Sequence, residues 1–467
     1  MGFEEPIHRT RSNRSSETSE ESVIVELQPY SNKSSTKESV KEYEGTIRLP
    51  DGKIFHVAFL GFTFMLLYTA YNPVQNMISL LFEEIGEKYL GIYALFVGQL
   101  AFAAGSLLAP QIAAKFSYRI GFFIGAFGFV LLIAVGKFAS FCSHYKDTFM
   151  CQSSSLYVIV TIASCAQGQG SSLIWYMQSL FIFDCSNENN KGRMFGIFMA
   201  LMQVSQISGA IIATIGLREF GTEGFFMFQT FLSFFSALLF LFVKTPVIPA
   251  SIHTFNNKDK NNSEMLGIEP AKATSNIKRL IDFSRRDKMQ SFRPPMLLVA
   301  FAFAFMVGAM PKLISLSLKK LPQTEINEKV GLIFLVLGCS EVIASQVSGR
   351  LYDRNRQLSV KAIIFFNLSV LLINLIAFKT SSYHLYFAAA LCFGFCDAGA
   401  QIVFSTLLTS KFVEKSEPQA VFRSMTYFAS AGFILLFMIL EQFSIELQFL
   451  SFAIVVIYAW RCFPQFA

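Results

Sequence analysis

The amino-acid sequence predicts an all-α membrane protein in which twelve transmembrane helices form two halves of six. Three observations support this prediction: apolar residues occupy 53% of the 467 positions, charged residues occupy only 15%, and long apolar runs recur along the chain. A soluble domain contains about 25% charged residues, whereas a helix that crosses a bilayer needs about 20 consecutive apolar residues. The composition therefore indicates a chain that lies in lipid rather than a large soluble domain.

The chain begins with a polar segment, residues 1–53, that is rich in Ser, Glu and Lys. This segment contains too few large apolar side chains to offset the entropy of folding, so we predict a disordered tail. Apolar stretches follow in two groups of six, one in residues 54–243 and the other in residues 294–467. They lie near 54–82, 92–113, 119–140, 155–180, 193–217, 223–243, 294–316, 329–348, 360–378, 384–409, 419–440 and 445–462.

Residues 244–293 form a long polar linker between the two groups. Lys and Arg accumulate in the cytosolic loops of membrane proteins, and the linker contains ten of them. The segment 349–361 is also basic, and the loops on the opposite side are mostly acidic or balanced, although the loop with Lys312, Lys319 and Lys320 is basic. We therefore expect the tail, the linker and both termini to lie in the cytosol.

The first predicted span contains a group of amide side chains. Asn72, Gln75 and Asn76 share one helical face through i, i+3 and i, i+4 spacing. Pro73 removes a backbone donor beside them and leaves a carbonyl free in the preceding turn. A kinked helix with free carbonyls and amides can bind a cation or a polar ligand. The alternative is that these amides hold helices together by hydrogen bonds.

The fourth predicted span contains a second polar group, made of Gln169, Trp175 and Gln178. Trp175 and Gln178 are spaced i, i+3, so an aromatic ring and an amide can contact the same ligand. Gln169 lies in the same Gly- and Ser-rich stretch. The alternative for Trp175 is a core or interfacial aromatic residue. We take all three as candidate substrate-binding residues.

Two carboxylates lie near the middle of predicted spans, Glu341 in the eighth and Asp397 in the tenth. Gln401, one turn after Asp397, is a further candidate substrate-binding residue. A charged side chain at the centre of an isolated membrane helix costs about 2.5–3.5 kcal/mol. The sequence places no Lys or Arg at a matching depth. Burial disfavours the ionised form of such a group, which makes both carboxylates candidates for proton coupling. The alternative is a protonated or amide-bonded structural residue.

The remaining chemistry of the sequence is sparse. Cys142 and Cys151 flank a short polar loop and can form a disulfide if that loop faces an oxidising compartment. The cysteines lack the spacing of a zinc site, and the five histidines do not cluster. There is no phosphate-binding loop, no metalloprotease motif and no nucleophile elbow. We therefore predict no enzyme activity, no cofactor, no metal site and no nucleic-acid partner.

The arrangement of six plus six spans resembles the major facilitator superfamily. The stretch "GRLYDR" resembles that superfamily's G-x-x-x-D-R loop between the eighth and ninth helices, which it matches through Gly349, Asp353 and Arg354. The resemblance implies a gating loop: Gly349 would allow a tight turn, Asp353 would face a helix N-terminus, and Arg354 would hold a neighbouring helix end. The alternative is an ordinary basic cytosolic loop.

Within that superfamily, the chain resembles the uncoordinated-93-like (Unc-93-like) family. The stretches "APQIAAKFSYRIG", "GQGSSLIWYMQ", "GRMFGIFMALMQ" and "GFCDAGAQ" are similar to its segments around helices 2–3, 4, 5 and 10. The chain departs from the family at Ser179, where a glycine is usual, and at Gln401, where asparagine is frequent. Both changes would alter what the site binds.

The resemblance implies a secondary transporter that moves a small solute by alternating access, with Asp397 or Glu341 as the proton carrier. It also implies an alternative, because members of the family are described as regulators of a potassium channel and as chaperones of membrane receptors. The expected partners are the lipid bilayer, a small solute or ion and, for the alternative, another membrane protein. Either the plasma membrane or an endolysosomal or vacuolar membrane fits.

Overall fold

The computed structural model describes residues 52–84, 86–87, 89–145, 148–187, 190–244, 275–318, 321, 323–412, 416–440 and 444–463. Within these ranges every secondary-structure element is helical. Residues 1–51 and 245–274, which contain all but the last two residues of the predicted tail and most of the predicted linker, lie outside the described residues.

The described part of the first predicted half contains five α-helices, of which the last crosses the bundle twice. They are α1 Gly52–Glu84, α2 Leu90–Ala113, α3 Tyr118–His144, α4 Ser153–Cys185 and α5 Lys191–Leu239. Gly221 interrupts α5 with φ 66° and ψ −179°, a conformation that glycine adopts without steric cost. A Cβ on Gly216 would lie 3.1 Å from the Phe225 ring. A straight helix separates residues nine positions apart by about 13 Å, so the chain folds back at this break.

The rest of the described chain contains two short helices and the second predicted half. The helices are α6 Ser275–Ser284, α7 Asp287–Gln290, α8 Arg293–Ala304, α9 Met310–Ser317, α10 Gln323–Arg354, α11 Arg356–Thr380, α12 Tyr383–Lys411, α13 Ser416–Leu440 and α14 Ile445–Arg461. A π-helical turn, Phe305–Ala309, joins α8 to α9. Such turns occur frequently at functional sites, and this one lines the cavity described below.

Ten segments of the described chain are long and apolar enough to cross a membrane. The all-helical membrane fold is therefore as predicted, but two of the twelve predicted spans, α4 and α14, do not meet this criterion. The helix α4 is 33 residues long, and its Ser and Gln residues lower its apolar content. The helix α14 has only 17 residues. Both helices nevertheless pack inside the same bundle, α4 against α2 and α3, and α14 against α8 and α11.

The helices α5 and α10 pack closely because glycines lie at their crossing. A Cβ on Gly349 would lie 2.4 Å from the carbonyl oxygen of Gly192 and 3.3 Å from the Cα atom of Gly196. Gln346 also donates a hydrogen bond to the Gly196 carbonyl at 3.2 Å. The expectation that Gly349 permits a tight turn is wrong, since the residue lies inside α10. Its missing side chain instead allows two backbones to approach.

The substitution Gly349→Ala is therefore expected to destabilise the protein. The new methyl group collides with backbone rather than with a flexible side chain, and overpacking of this kind costs about 1–3 kcal/mol. Gly331→Ala is the matched control on the same helix, because a Cβ there meets no atom within 4 Å among the described residues. We expect it to raise stability by up to about 1 kcal/mol through helix propensity. Thermal unfolding of both variants in detergent is the measurement. A lower melting temperature for Gly349→Ala alone indicates the backbone collision, whereas similar changes in both variants would indicate helix propensity.

A disulfide joins Cys142, near the end of α3, to Cys151 in the segment before α4. The two residues are nine positions apart, so the bond closes one short loop. It holds the connection between α3 and α4 at one end of the bundle.

Candidate functional site: a cavity between the predicted halves

A cavity of about 100 Å³ lies in the middle of the bundle. Its lining comes from α1, α2, α4 and α5 of the first predicted half and from α8, the π-helical turn, α10, α12 and α13 of the second. Each half therefore contributes one wall. A site built in this way changes shape if the halves move relative to each other.

The wall from the first half is dominated by amides. Six amide side chains on this wall line the cavity, and the second half adds a seventh. They are Asn72, Gln75, Gln99, Gln167, Gln203, Gln206 and, from the second half, Gln401. Three of the predicted ligand-binding amides, Asn72, Gln75 and Gln401, thus lie at one cavity. Asn72 also donates a hydrogen bond to Ser205 of α5 at 3.1 Å.

Asp397 lies at the boundary between the two walls. The side chain of Gln203 on α5 donates a hydrogen bond to Asp397 Oδ2 at 3.4 Å, and Gln401 interacts with the same carboxylate. The carboxylate is half-buried and lines the cavity. It is therefore linked to both halves and accessible to a ligand.

Aromatic rings complete the first wall. Trp175 donates a hydrogen bond from its indole nitrogen to the hydroxyl of Tyr68 at 2.5 Å, and both rings line the cavity. Tyr68 packs edge-to-face against Tyr71. Phe102 of α2, on the same wall, stacks on Tyr427 of α13 from the second half, with ring centroids 3.5 Å apart. The predicted position of Trp175 at a ligand site is thus consistent with the geometry.

Two predicted binding residues do not line the cavity. Gln169 lies between α4 and α2, where it donates a hydrogen bond to the carbonyl of Ala101 at 3.0 Å. Gln178 is buried beside Ser179, whose hydroxyl donates to its side-chain oxygen at 3.3 Å. Neither amide lines the cavity, and Gln169 joins α4 to α2. The side chain of Asn76, a third predicted residue, lies outside the described residues.

Glu341 is buried behind the cavity rather than on its surface. Its side chain is 0% exposed, and among the described residues neither carboxyl oxygen has a hydrogen-bond partner. The neighbouring Ser340 donates to the carbonyl of Leu391 on α12 at 2.6 Å, which places α10 against the helix that carries Asp397. The two carboxyl groups are close enough to repel each other when both are ionised.

Arg423 on α13 is a buried cation that the sequence analysis missed. It is only 6% exposed, donates a hydrogen bond to the hydroxyl of Ser179 at 2.8 Å, and lies 5.2 Å from the centroid of the Trp175 ring. Among the described residues it forms no ion pair, and its Nε atom has no partner. The available signal was a lone arginine inside the apolar run 419–440.

Two substitutions separate the charge of Arg423 from its packing. Arg423→Met is expected to leave the melting temperature unchanged or to raise it, because an apolar side chain of similar volume removes the cost of a buried charge. Arg423→Lys is expected to lower stability by about 0.5–2 kcal/mol, because an ammonium is more strongly hydrated than a guanidinium and replaces its contact with the Trp175 ring less well. Thermal unfolding in detergent measures both. A lower melting temperature for the Met variant than for the Lys variant would contradict this assignment.

Asp353 joins the end of α10 to the start of α5. Its two carboxylate oxygens accept hydrogen bonds from the backbone N–H groups of Gly192 at 2.9 Å and Arg193 at 2.8 Å. A carboxylate at a helix N-terminus is stabilised by the unpaired N–H groups and the helix dipole. The segment "GRLYDR" is the last part of α10 rather than a loop, and Arg354, its final residue, is exposed.

The chain is similar to known proteins both in sequence and in fold. The sequence profile of the Major Facilitator Superfamily matches residues 56–455. UNC93-like protein MFSD11 of Xenopus tropicalis is 23% identical over 262 residues, which is 54% of this chain and 54% of the relative. Protein unc-93 homolog A of Bos taurus is 24% identical over 186 residues, which is 37% of this chain and 36% of the relative. The matches thus span about half or less of each relative.

Two solved structures have the same fold. The proton:xylose symporter XylE, bound to 6-bromo-6-deoxy-D-glucose, superimposes with a TM-score of 0.64 and 12% identity over 88% of this chain and 94% of that chain. A bacterial homologue of the iron transporter ferroportin, in the outward-facing state, gives a TM-score of 0.58 and 13% identity over 88% of this chain and 97% of that chain. At these identities the likeness concerns the fold alone.

Proposed function

Because the chain belongs to the Major Facilitator Superfamily and is distantly related to UNC93-like proteins, we propose that it is a secondary transporter. In this proposal it moves a small polar solute across the bilayer by alternating access, in which two halves rock around one central site. The observation that carries the proposal is the cavity whose lining comes from both predicted halves. Fold alone does not establish function, so the site has to support it.

The contacts between the halves support this mechanism. Asp353 is bonded to backbone at the start of α5, and Arg423 is bonded to Ser179 near the end of α4. Both contacts join the halves at the same end of the bundle, because α4 ends and α5 begins there. We assign this end to the cytosol, together with both termini. Breaking these hydrogen bonds would open the cavity on that side.

The two carboxyl groups have different positions and therefore different roles in the proposal. Asp397 lines the cavity and touches the solute. Glu341 is buried beside it with no hydrogen-bond partner among the described residues. In the proposal, Glu341 therefore binds the transported proton, which neutralises its charge. A solute that binds at Asp397 would thereby influence the proton on Glu341.

The alternative function was a non-transporting regulator or chaperone. In that case the polar groups of the spans would face lipid and bind partner helices. The amides of α1, α2, α4 and α5 instead point into an internal cavity, which favours transport.

Cross-linking tests the alternating-access proposal. Arg193 and Arg354 are exposed on either side of the contact between α5 and α10, so cysteines at both positions can be joined by a short thiol reagent. Proteoliposomes are tested with D-xylose, 2-phenylethylamine and phenylacetate, and flux of solute and of protons is recorded. We expect saturable flux with at least one solute, and we expect the cross-link to stop it.

The matched controls are the two single-cysteine variants, treated with the same reagent. Cys165 and Cys339 are exposed and are replaced in every variant so that they do not react. Flux that continues in the cross-linked protein at the rate of the controls would contradict alternating access at this interface. Absence of protein-dependent flux for every solute would count against transport.

A further inference from the structure

The charge of the cavity points to the class of its ligand, an inference that rests on the proposed transport function. Among the described residues that line the cavity, Asp397 is the one with a formally charged side chain, and Lys, Arg and His do not occur. Arg423 contacts the Trp175 ring but does not line the cavity. The Asp397 carboxylate is thus the charged group that a ligand in the cavity can contact directly, and a cationic group on the ligand would complement it.

The two walls of the cavity differ in polarity. The first half supplies six amides, whereas α8, the π-helical turn and α10 supply Phe303, Met306, Val307 and Phe334. A ligand that satisfies both walls has a hydrogen-bonding side and an apolar side. A fully hydroxylated solute would leave polar groups facing the apolar wall, which costs free energy.

Two further features favour a ligand that donates hydrogen bonds and carries positive charge. The side-chain oxygen of Gln99 is buried without a partner among the described residues, although the side chain, 8% exposed, lines the cavity. A buried acceptor without a hydrogen-bond partner costs free energy, and a donor group on the ligand would remove that cost. The rings of Tyr68 and Tyr71 lie on the same wall, and aromatic faces attract cations.

We propose that the cavity binds an organic monocation, a protonated amine with a compact apolar body. Its ammonium group donates hydrogen bonds to Asp397 and to the side-chain oxygen of Gln99. The apolar body packs against Phe303, Met306 and Phe334. In this arrangement the carboxylate supplies the counter-charge, and the contrast between the walls orients the ligand.

Matched probes test the ligand class by binding alone. Each of three apolar bodies, phenylethyl, cyclohexylmethyl and n-butyl, is presented as an amine, an alcohol and a carboxylate to the purified full chain in detergent. Thermal shift and calorimetry measure the binding. We expect amines to raise the melting temperature, and we expect alcohols and carboxylates of the same shape to bind at least about 10-fold more weakly.

Variants link this preference to the carboxylate. Asp397→Asn is expected to lower amine affinity about 10- to 100-fold, the range of a hydrogen bond to a charged group, and to remove the preference over the alcohols. Glu219→Gln is the matched neutralisation at an exposed position, and it should leave amine affinity unchanged. Equal binding of alcohols or carboxylates, no shift with any amine, or an unchanged preference in Asp397→Asn would overturn the proposal.

The outcome is independent of the transport assay. Amine binding without flux of any solute would support the ligand class and contradict transport. Flux of D-xylose or phenylacetate without amine binding would support transport and contradict the ligand class.

Discussion

Asp397→Asn should reduce proton-coupled solute flux by at least about 10-fold, the effect of losing one hydrogen bond to a charged group. Asparagine has nearly the same shape, and its side-chain oxygen can still accept the hydrogen bond that Gln203 donates at 3.4 Å. It carries neither a charge nor a titratable proton. The change therefore removes the electrostatic function of the site and keeps its packing. Flux is measured in proteoliposomes with an internal pH-sensitive dye.

The control for this experiment is Asp397→Glu, which retains the carboxylate and should recover part of the flux. The melting temperatures of both variants should stay close to that of the unmodified protein, because the residue is half-buried beside a cavity rather than in a packed core. Unchanged coupled flux in Asp397→Asn would remove this carboxylate from the proton and solute pathway.

Glu341→Met should raise stability and, at the same time, abolish coupling to protons. The carboxyl group is 0% exposed and its oxygens have no hydrogen-bond partner within the described chain. An unsatisfied buried polar group costs about 1–3 kcal/mol even when it is uncharged, and Met removes this cost at a similar volume. A position that destabilises the fold and yet holds a carboxyl group is typical of a functional residue.

Glu341→Gln provides the comparison, because it removes the titratable carboxyl group and keeps a polar group in the same place. We expect it to lose proton coupling like the Met variant but to gain little stability. Thermal unfolding and dye-based proton flux are measured on both variants. A Met variant that melts below the unmodified protein would show that Glu341 has a stabilising partner. Intact proton flux in both variants would exclude Glu341 as the proton carrier.

Much of the candidate site could be anticipated from the sequence because polar residues are costly in a bilayer. Asn72, Gln75, Trp175, Asp397 and Gln401 were named for that reason, and all line one cavity. The same argument failed for Gln169 and Gln178, which bind Ala101 and Ser179 instead. Helical spacing shows which residues share a face, but it does not show which neighbour that face meets.

Other features depended on contacts between distant segments. Gly349 was interpreted as a turn residue, whereas it lies in α10 against the backbone of Gly192. Arg423 is buried because Trp175 and Ser179 of α4 cover it, and these residues lie more than 240 positions away in the sequence. No local pattern contains this information.

The sequence by itself determined that this protein is an all-helical membrane protein of the Major Facilitator type. Composition and the length of apolar runs suffice for the all-helical membrane class, because a bilayer selects helices that satisfy their own backbone hydrogen bonds, whereas the family rests on the profile match over residues 56–455. Only the tertiary structure decided which intramembrane polar groups form the cavity, which ones join helices, and that Glu341 and Asp397 lie near each other. The physical reason is that each helix of a bundle has several buried faces, and packing alone assigns them to a neighbour or to the central space.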